Sequence, residues 1–525
     1  MHRSGNIKTV RHRGRHRGIA LAWSAIVLTV MIGMVGLSID WGKLVWNAHQ
    51  LQNAADAAAL AGAYVVKYNY SNPDDPLGAR SRAMALAQAN IADQRGVSLD
   101  RNAGNAVDGE IVLGRWIRQE RLFVPTMLSP SAVKVVDRRL GQRDDSPALS
   151  LVFGAMFGTA QAGASRTAIG WSRNSAGAGI LQLSSNPREL PKWSSQGTGL
   201  VAGGGSSIDL RGNHWQTGLP ILGDIQIDAV SMDQPKAALV FNGNSADIWG
   251  GDINVCGTTR PFPDSDWSNY YGDGADQEYW FSINPEADRI DDPLIDVTPP
   301  VLGTPVLSTT IDDKFIVKAF ADGDSRASLV EGVYRYEISP GYYSGGINIS
   351  QTQIVLEGGL GATGERSGIF AFGGAGLVLA GTSSVVEKYS PVNADGTAVT
   401  PRFDANRGVM IYVTGTGEVT MHGGAYLRIS PRGDWLATRV VNGEMGVSIW
   451  QDRNDDKAAT ITGGVNYFVS GTVYMGYNAV KVTGNTNNLG TQLIVGALEI
   501  DGGLSLGVHY DGRNRYDSAR AFLVN

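Results

Sequence analysis

The sequence predicts a mainly β protein with an N-terminal transmembrane helix, in which a small α+β domain is followed by a parallel β-helix-like domain. Three observations support this fold class. A long uncharged apolar stretch lies near the N-terminus, helical periodicity gives way to strand periodicity near residue 108, and short glycine-bounded alternations run from about residue 197 onward. The alternative for this last region is another all-β fold, a sandwich or a propeller.

The apolar stretch is Gly18–Ile39, which carries no charge between Arg17 and Asp40. About 22 residues at ~1.5 Å per residue make ~33 Å of helix, enough to cross a hydrocarbon core of ~30 Å. The leader, residues 1–17, has no acidic residue, and its basic residues are Arg3, Lys8, Arg11, Arg13, Arg15 and Arg17. Basic residues beside a span stay in the cytoplasm, so we expect the body of the protein on the opposite side.

A cleaved secretory signal is the main alternative for this stretch. The apolar region of such a signal covers about 7–15 residues and ends at a small-x-small site. Here the run is longer and is followed by Asp40-Trp41-Gly42-Lys43, while the nearest small-x-small match, Ala55-Asp56-Ala57, lies inside a helical pattern. The sequence therefore favours an uncleaved anchor.

Composition excludes several classes of protein. The 525 residues carry a net charge of −6, and beyond the leader 38 basic residues stand against 50 acidic ones, which argues against a nucleic-acid partner. The 68 glycines are not arranged as Gly-X-Y, which excludes collagen. Cys256 is the single cysteine, so an intramolecular disulfide and a cysteine zinc cluster are both excluded.

An alanine-rich helix is predicted to continue from the span over residues 40–70. Alanine is the strongest helix former, and the segment LQNAADAAALAGAYVV is dense with it. The small residues Ala55, Ala59 and Gly62 suit the close approach of another helix, or packing on the protein's own domain. Two prolines in Ser71–Pro76 end the pattern, and a second helix is predicted from about Arg80 to Gln94.

The small α+β domain is predicted over residues 71–185. Its strands are expected at Glu110–Trp116, Ala132–Asp137 and Ser165–Gly170, where the pattern changes to short apolar runs. A helix is expected between the last two, at Ala148–Phe157. This order predicts helices packed on one face of a sheet.

Two motifs, Ser38-Ile39-Asp40-Trp41-Gly42 and LQNAADAAALAGA, give the N-terminal region a resemblance to the TadG-like family of Flp-pilus (tight-adherence) assembly proteins. The resemblance rests on Ser38-Ile39-Asp40-Trp41-Gly42 and on Leu51, Gln52, Asn53, Ala54, Ala55, Asp56, Ala57, Leu60 and Gly62 within LQNAADAAALAGA. A domain often found behind this region is resembled by Val112–Trp116, Ala132–Val135, Phe153-Gly154 and Phe157-Gly158. The resemblance implies a single-pass inner-membrane protein with an extracytoplasmic body, acting in pilus assembly or surface adhesion, with other tight-adherence proteins as partners.

Two features depart from related patterns. Related pilin-like subunits are cut after a small residue and carry Glu at the fifth mature position, but cleavage after Gly18 places Trp23 there. Some TadG-like proteins carry a von Willebrand type A domain with Asp-x-Ser-x-Ser, which Asp322–Arg326 does not match. We therefore expect neither processing into a pilin nor that metal site.

The body, residues 197–525, consists of apolar alternations of three to five residues separated by Gly, Asn or Asp. Strands this short, joined by corners of one or two residues, suit a parallel β-helix in which each coil stacks on the last. An acidic, aromatic excursion and a Pro/Thr-rich extended segment interrupt the pattern at about 261–312.

Motifs for catalysis are weak, and the sequence predicts no catalytic residue, cofactor or metal site. Asp452-x-Asn454-x-Asp456 has the alternation of a calcium loop, but Lys457 replaces the glycine expected next, so a solvated turn is favoured. Asp273, Asp276 and Glu278 are a weaker calcium candidate. The alternative function is a polysaccharide-active β-helix enzyme, anchored or secreted, which is either a lyase or a hydrolase. Glycoside hydrolysis needs two carboxyl groups about 5–9.5 Å apart. This alternative requires three or more acidic residues that converge on one outer face of the stack.

Aromatic residues in the excursion are candidates for contact with a partner or a glycan. They are Trp267, Tyr270, Tyr271, Tyr279 and Trp280. Such rings stack on sugars or dock a partner, or they pin a long loop to the wall of the β-helix. The sequence features and the family resemblance together predict a membrane-anchored structural or adhesion protein. Its expected partners are the lipid bilayer and cell-wall or matrix polysaccharide, and the resemblance implies pilus proteins as further partners; the oligomeric state is left open.

Overall fold

The computed structural model describes most of the chain. The described residues are 17–66, 78–141, 143, 145–173, 178–183, 198–203, 205–214, 218–229, 237–242, 246–261, 270–271, 277, 280–285, 287–295, 297–358, 368–388, 408–431, 446–455, 457–462, 464, 466–484, 487–501, 505–512 and 520–524. Within them the protein is mainly β, with one long apolar helix at the N-terminus and a large parallel sheet, as the sequence predicts.

The α+β domain has two helices against a five-stranded antiparallel sheet, whose strands lie in the order Arg520–Val524, Ala164–Arg173, Ala132–Arg139, Ile111–Ile117 and Leu122–Pro125. Its elements are α1 (Arg17–Val66), α2 (Ala79–Ala89), β1 (Ile91–Ala92), β2 (Arg95–Gly96), β3 (Ile111–Ile117), β4 (Leu122–Pro125), β5 (Ala132–Arg139), β6 (Leu149–Ser150), a 3₁₀ turn (Gly154–Phe157), β7 (Gln161–Ala162), β8 (Ala164–Arg173) and β39 (Arg520–Val524). The second half of α1 lies on β5 and β8, and α2 packs against α1, which gives the predicted layer of helices on a sheet.

The C-terminal strand completes this N-terminal domain. β39 pairs antiparallel with β8, with Leu523 opposite Gly170 and Phe522 opposite Trp171. The Phe522 and Trp171 rings lie 6.3 Å apart between centroids. The chain therefore returns from the body to the domain in which it started, and β39 covers what is otherwise an open edge of β8.

Removal of residues 520–525 is expected to destabilise the α+β domain by about 2 kcal/mol or more, because Phe522 and Leu523 lose their partly buried contacts. The uncovered edge of β8 also becomes available for pairing between copies. Limited proteolysis and size-exclusion chromatography of the full chain and the truncated chain test this. A chain extended by a tag after Asn525, which keeps β39, is the control; equal stability of all three chains contradicts the role given to β39.

The body is a stack of coils whose strands belong to three faces. The elements of the first coils are β9 (Ala178–Gln182), β10 (Leu200–Ala202), β11 (Ser207–Asp209), β12 (Arg211–Asn213), β13 (Pro220–Leu222), β14 (Asp224–Ile227), β15 (Leu239–Phe241), β16 (Asp247–Trp249), β17 (Ile253–Val255), β18 (Thr259–Arg260) and β19 (Ile283–Pro285). Apart from the β12–β13 hairpin, these strands pair in parallel between coils, as a β-helix requires.

The later coils start at the opposite end of the stack. Their elements are β20 (Ile311–Asp312), α3 (Asp313–Ala321), β21 (Ala327–Val330), β22 (Val333–Ile338), β23 (Gly341–Tyr343), β24 (Ile347–Ile349), β25 (Gln353–Leu356), β26 (Ile369–Phe372), β27 (Gly376–Leu379), β28 (Ser384–Glu387), β29 (Met410–Val413), β30 (Glu418–His422), β31 (Tyr426–Ile429), β32 (Val447–Gln451), β33 (Ala459–Thr462), β34 (Asn466–Val469), β35 (Thr472–Val482), β36 (Asn487–Leu489), β37 (Gln492–Ile500) and β38 (Ser505–Gly507).

The coils do not stack in the order of the chain. The last coil lies on the first, with Leu493 of β37 opposite Ile180 of β9 and Ser505 of β38 opposite Ser207 of β11. The chain thus enters the stack in its interior, builds one end as far as β19, crosses to the other end at β20 and winds back.

Alternating side chains fill the interior of the stack. In β30, Val419 and Met421 are buried while Glu418, Thr420 and His422 are half-buried on the outer side. Because parallel partners such as Leu377 and Val419 lie in register, these inward positions form a continuous apolar column. The period-two pattern seen in the sequence is the pattern of this column.

A crossing segment, described at residues 287–295 and 297–307, carries the chain from one end of the stack to the other along the outside of one face. Leu294 packs among the outward aromatic rings of Tyr412, Trp450 and Tyr474. The Tyr474 hydroxyl donates to Asp292 Oδ2 at 2.7 Å, and the Arg453 guanidinium donates to the Leu294 carbonyl. These contacts fix the part of the predicted excursion that follows β19.

Three local predictions differ from the structure. The helix expected at Ala148–Phe157 is wrong, because β6, a 3₁₀ turn and β7 form a short hairpin there. The second helix ends at Ala89, since Asn90 adopts extended backbone, rather than at Gln94. Ala178–Gln182, placed by sequence in the α+β region, pairs with β14 and β37 of the body.

Glu387 makes the stability of the body depend on pH. It is buried on β28, its Oε2 accepts the Ser430 backbone N–H at 2.9 Å, and burial raises its pKa from 4.5 to about 8. The folded chain therefore holds a proton that the unfolded chain releases, so stability falls as pH rises from about 4.5 to about 8. Burial also raises the pKa of Asp137 and of Asp228 to about 7, so these two groups likewise make stability fall as the pH rises.

Glu387→Gln is expected to unfold several degrees higher than the native chain at pH 8 and to show a flatter pH dependence between pH 5 and pH 8. Thermal unfolding followed by circular dichroism measures this. Glu331→Gln, in the exposed turn between β21 and β22, is the matched control and should keep the native slope. An unchanged slope in Glu387→Gln contradicts the assignment.

Candidate functional site: the membrane-proximal helix and the loop beside it

The first half of α1 has the exposure of a membrane span. From residue 21 to residue 39 every side chain is exposed except Gly33, which is half-buried, and Gly36, which is buried. Met31 is 57% exposed and Ile39 is 47% exposed, and the mean hydropathy of the span is 2.1. Among the described residues this is the one helix long and apolar enough to cross a membrane. The predicted span from Gly18 to Ile39 lies within it.

Asp40, at the end of the span, organises a loop more than one hundred residues away. Its carboxylate accepts the backbone N–H groups of Val152 at 2.7 Å, Phe153 at 2.9 Å and Gly154 at 2.6 Å. Asp40 is 5% exposed as a result. The acid thus caps the 3₁₀ turn at Gly154–Phe157, where donors point outward and favour a negative charge. This contact holds the turn of the hairpin against the end of the span.

The same loop contacts the span itself. A Cβ atom at Gly36 would lie 2.9 Å from Cγ of Phe153, so only glycine admits the Phe153 ring at this distance from the helix. Gly36 is one turn before Asp40, about 6 Å closer to the middle of the span. The loop of residues 151–160 (the 151–160 loop) therefore lies beside the last turn of the apolar helix.

Polar contacts follow immediately beyond Asp40. Lys43 Nζ donates to the Ser150 carbonyl at 2.8 Å and lies 3.5 Å from Asp93 Oδ1. The Asp93 backbone N–H donates to Asn47 Oδ1 at 3.0 Å. Trp41 and Trp46 are exposed at 70% and 66%, on the sides of α1 that the domain leaves open. Tryptophan and lysine at this position are typical of the boundary between membrane and water.

The residues of the family motif on α1 divide into a buried face and an outer face. Leu51, Ala54 and Ala55 are buried, Gln52, Asp56, Ala57 and Leu60 are half-buried, Gly62 is buried, and Asn53 is exposed. Gln52 Nε2 donates to Asp56 Oδ1 at 2.7 Å and to the Thr167 carbonyl at 3.2 Å, which ties α1 to β8.

The small residues of this helix serve packing within the chain. A Cβ atom at Gly62 would lie 3.2 Å from Val133 Cγ1, and one at Gly170 would overlap the Ala59 carbonyl. Ala55 and Ala59 belong to the same buried cluster as β3, β5 and α2. Of the two readings of the seam, packing on the protein's own domain is the one that the structure adopts.

The aromatic candidates of the excursion are in part core residues. Tyr270 is 5% exposed and lies 5.4 Å from the Phe241 ring; Tyr271 is 7% exposed and stacks on Trp280 at 4.7 Å. Tyr270 and Tyr271 therefore differ from the expectation of exposed rings, because they are buried against the first coils. Trp280 is half-buried. Trp267 and Tyr279 lie outside the described residues.

A polar cavity of about 200 Å³ lies in the α+β domain. Its lining residues are Asp100, Gly109, Glu110, Arg138, Leu140, Arg143 and Ser146. Arg143 lies 2.7 Å from Glu110 Oε2 and 3.0 Å from Asp145 Oδ1, so these charges pair within the chain. Within the described part of the chain, no group of three or more His, Cys, Asp or Glu side chains is placed to hold a metal ion.

Sequence reasoning missed the contact between Asp40 and the 151–160 loop. A signal was available, because no charged residue occurs between Asp145 and Arg166, which is unusual for a surface hairpin. It also missed the buried pair between Arg115 of β3 and Asp252, which joins the α+β domain to the body with an N–O distance of 3.2 Å.

Comparison with known proteins finds a family similarity for the same helix. Residues 18–65 match the family model Tad, described as Flp pilus-assembly TadE/G-like. These residues comprise the span, Asp40 and the motif helix, which together are almost the whole of α1. No curated protein and no solved structure matches the chain. The family match and the apolar helix together indicate a membrane-anchored protein that is similar, over this segment, to Flp pilus-assembly proteins. The predicted resemblance is thereby confirmed: residues 18–65 of this chain form a TadE/G-like segment.

Proposed function

We propose that the protein is a single-pass inner-membrane protein with an extracytoplasmic body, which acts as a structural or adhesion component of a tight-adherence (Flp) pilus system. The observation that carries this proposal is the TadE/G-like match over the helix that also forms the span. The basic leader before Gly18 supports a cytoplasmic N-terminus by the positive-inside rule.

The continuity of α1 supports a rigid link from the membrane to the body. One helix of 50 residues, Arg17–Val66, forms the span and then packs on β5 and β8. The α+β domain joins the body through Arg115 and Asp252, and β39 returns to it from the far end of the chain. A structural role needs such a link, because force or position at the membrane must reach the body without a hinge.

The length of the stack supports a presenting role. Nine strand spacings separate β19, beside the α+β domain, from β23 near the opposite end. At ~4.8 Å each they span about 43 Å. We propose that the end of the stack around α3 and the loops along it face partners, namely pilus-assembly proteins and cell-wall or matrix polysaccharide. The small-residue seam of α1 packs against the protein's own domain. We therefore propose that partner helices contact the exposed side chains of the span.

The protein is proposed to have no enzymatic activity, and Trp267, Tyr279 and Trp280 remain proposed glycan contacts. A deletion strain of the source organism tests both statements when it is complemented with the native chain or with a truncated chain in which a flexible linker replaces the body between β8 and β39, so that β39 still pairs with β8. Loss of adherence or of pilus assembly in the truncated strain, with no turnover of polymers by the purified protein, is expected. Cleavage of pectin-like or peptidoglycan polymers would instead establish the polysaccharide-active alternative.

A control separates anchoring from a specific role of the span. Replacing residues 18–32 by an unrelated apolar helix keeps Gly33, Gly36 and Asp40 and therefore keeps the 151–160 loop in place. If the span contacts partner helices, this chimera is expected to stay in the membrane but to lose adherence. Full adherence of the chimera would show that the span acts as an anchor alone.

A further inference from the structure

The 151–160 loop combines exposed apolar side chains with the absence of charge. Val152 is 60% exposed and Met156 is 73% exposed. The chain carries no charged residue from Ser146 to Ser165. Exposed apolar residues grouped in one uncharged loop mark a surface that is covered by something apolar.

The position of this loop identifies what covers it. Phe153 contacts Gly36, which lies inside the apolar run that ends at Ile39. A span of ~33 Å fills the hydrocarbon core of a bilayer, so a group beside Gly36 lies at the edge of that core. Lys43 and the exposed Trp41 and Trp46 follow within two turns, where headgroups and water begin. The apolar surface of the loop is therefore continuous with the lipid-facing surface of the span.

The backbone of the loop is also suited to a place with little water. Backbone polar groups at the membrane edge need partners within the protein. The amide N–H groups of Val152, Phe153 and Gly154 bond to Asp40, and four more bond within the hairpin. Those four are Leu151 to the Ala160 carbonyl, Met156 to Phe153, Gly158 to Ala155 and Thr159 to Gly154. The arrangement also supplies the Asp40 carboxylate with three donors, which a charge at this depth requires.

We propose that the 151–160 loop inserts into the bilayer beside the span, in the leaflet on the side of the body, as a second membrane contact. Its ligand is the acyl-chain and interfacial region of the lipid. Two contacts, the span and the loop, fix the orientation of the α+β domain on the membrane, whereas a single helix leaves the domain free to rotate and tilt. This inference rests on the proposed membrane anchor and adds a contact to it.

Single cysteines labelled with the environment-sensitive dye NBD test the proposal in the full chain reconstituted into lipid nanodiscs. Cys256 is buried, and burial raises its pKa, so the native chain provides a background of low labelling. The loop sites are Val152→Cys and Met156→Cys, and Met31→Cys reports the span. The matched control is Val107→Cys, because Val107 is 62% exposed and lies far from Asp40. Its carbonyl accepts a hydrogen bond from Lys134, and the adjacent residue Val133 packs on Gly62, far along α1 from Asp40.

The loop sites and Met31→Cys are expected to be quenched several-fold more by lipids with a doxyl group on the acyl chain than Val107→Cys, and to be shielded from aqueous iodide. Adding Met156→Asp to Val152→Cys should restore iodide access at residue 152, because a carboxylate draws the loop toward water. Quenching at residue 31 with none at residues 152 and 156 overturns the inference and leaves the anchor intact. That outcome in pure lipid would also direct the search to a partner protein at the loop. Absence of lipid quenching at residue 31 overturns the proposed anchor, and the inference with it.

Discussion

Arg115→Ala is expected to destabilise the junction between the α+β domain and the body by about 3–5 kcal/mol. Arg115 and Asp252 are each 1% exposed, and the Arg115 guanidinium lies 3.2 Å from Asp252 Oδ1. Arg115 Nη1 also donates to the Gly250 carbonyl at 3.4 Å. Truncation to alanine removes the Arg115 guanidinium from the buried Asp252 carboxylate, and the lost compensation of that desolvated charge is the main cost.

Denaturant unfolding of the full chain in nanodiscs measures this effect, with tryptophan fluorescence as the probe. The variant is expected to unfold at lower denaturant, with the α+β domain and the body separating into two transitions. Arg211→Ala is the matched control, because Arg211 pairs with Asp209 at 2.6 Å but is 46% exposed, and such a pair contributes about 1 kcal/mol or less. Arg115→Met combined with Asp252→Leu should recover much of the loss. Equal effects of Arg115→Ala and Arg211→Ala contradict the assignment.

Asp40→Ala is expected to release the 151–160 loop and to cost about 3 kcal/mol, since three charge-assisted hydrogen bonds are lost and their donors, of which the Gly154 N–H is buried, lose this acceptor. Hydrogen exchange of the full chain in nanodiscs should show loss of protection at Val152, Phe153 and Gly154. Asp40→Asn keeps an acceptor of similar shape and is expected to lose less protection.

A control on the same helix separates the loop contact from a general effect of removing an acid. Asp56 is half-buried and accepts a hydrogen bond from Gln52 of α1 itself. Asp56→Ala should therefore leave exchange in the 151–160 loop unchanged. If Asp40→Ala also leaves it unchanged, Asp40 does not organise the loop.

The repeating elements could be predicted from sequence because each follows a local rule. The alternation of Val419 and Met421 with half-buried neighbours predicts a strand, and the same rule applies through the coils. The uncharged run to Ile39 likewise predicts the span from its length alone. The local composition of Ala55–Ala63 predicts a helix, although it left open which surface the helix packs on.

The order of the coils could not be predicted, because any coil presents the same kind of paired edge to any other. Leu493 lies opposite Ile180, although more than three hundred residues separate them, and nothing in either segment specifies the other. The crossing after β19 is therefore invisible in the sequence pattern. A shift of one residue in the register of a strand would exchange its inward and outward side chains, whereas pairing the same strand with a different coil would not.

The candidate site was only partly predictable for a similar reason. The family resemblance drew attention to Asp40, but its partners are backbone groups of Val152–Gly154, and backbone groups leave no mark in the sequence. Tyr270 and Tyr271 show the opposite case. They stand among polar residues in the sequence, yet the end of a β-helix needs apolar groups to cover its last coil, and they pack there.

The central claim is that the chain is anchored by its N-terminal helix with its body outside the cytoplasm. Protease accessibility of a C-terminally tagged protein, in intact and in lysed spheroplasts with membrane fractionation alongside, tests it most directly. Because β39 pairs with β8, the tag reports the side of the membrane on which the α+β domain lies. We predict that the tag sediments with membranes and is digested in intact spheroplasts. A tag digested only after lysis, or found in soluble protein shortened by the leader and span, would contradict the account.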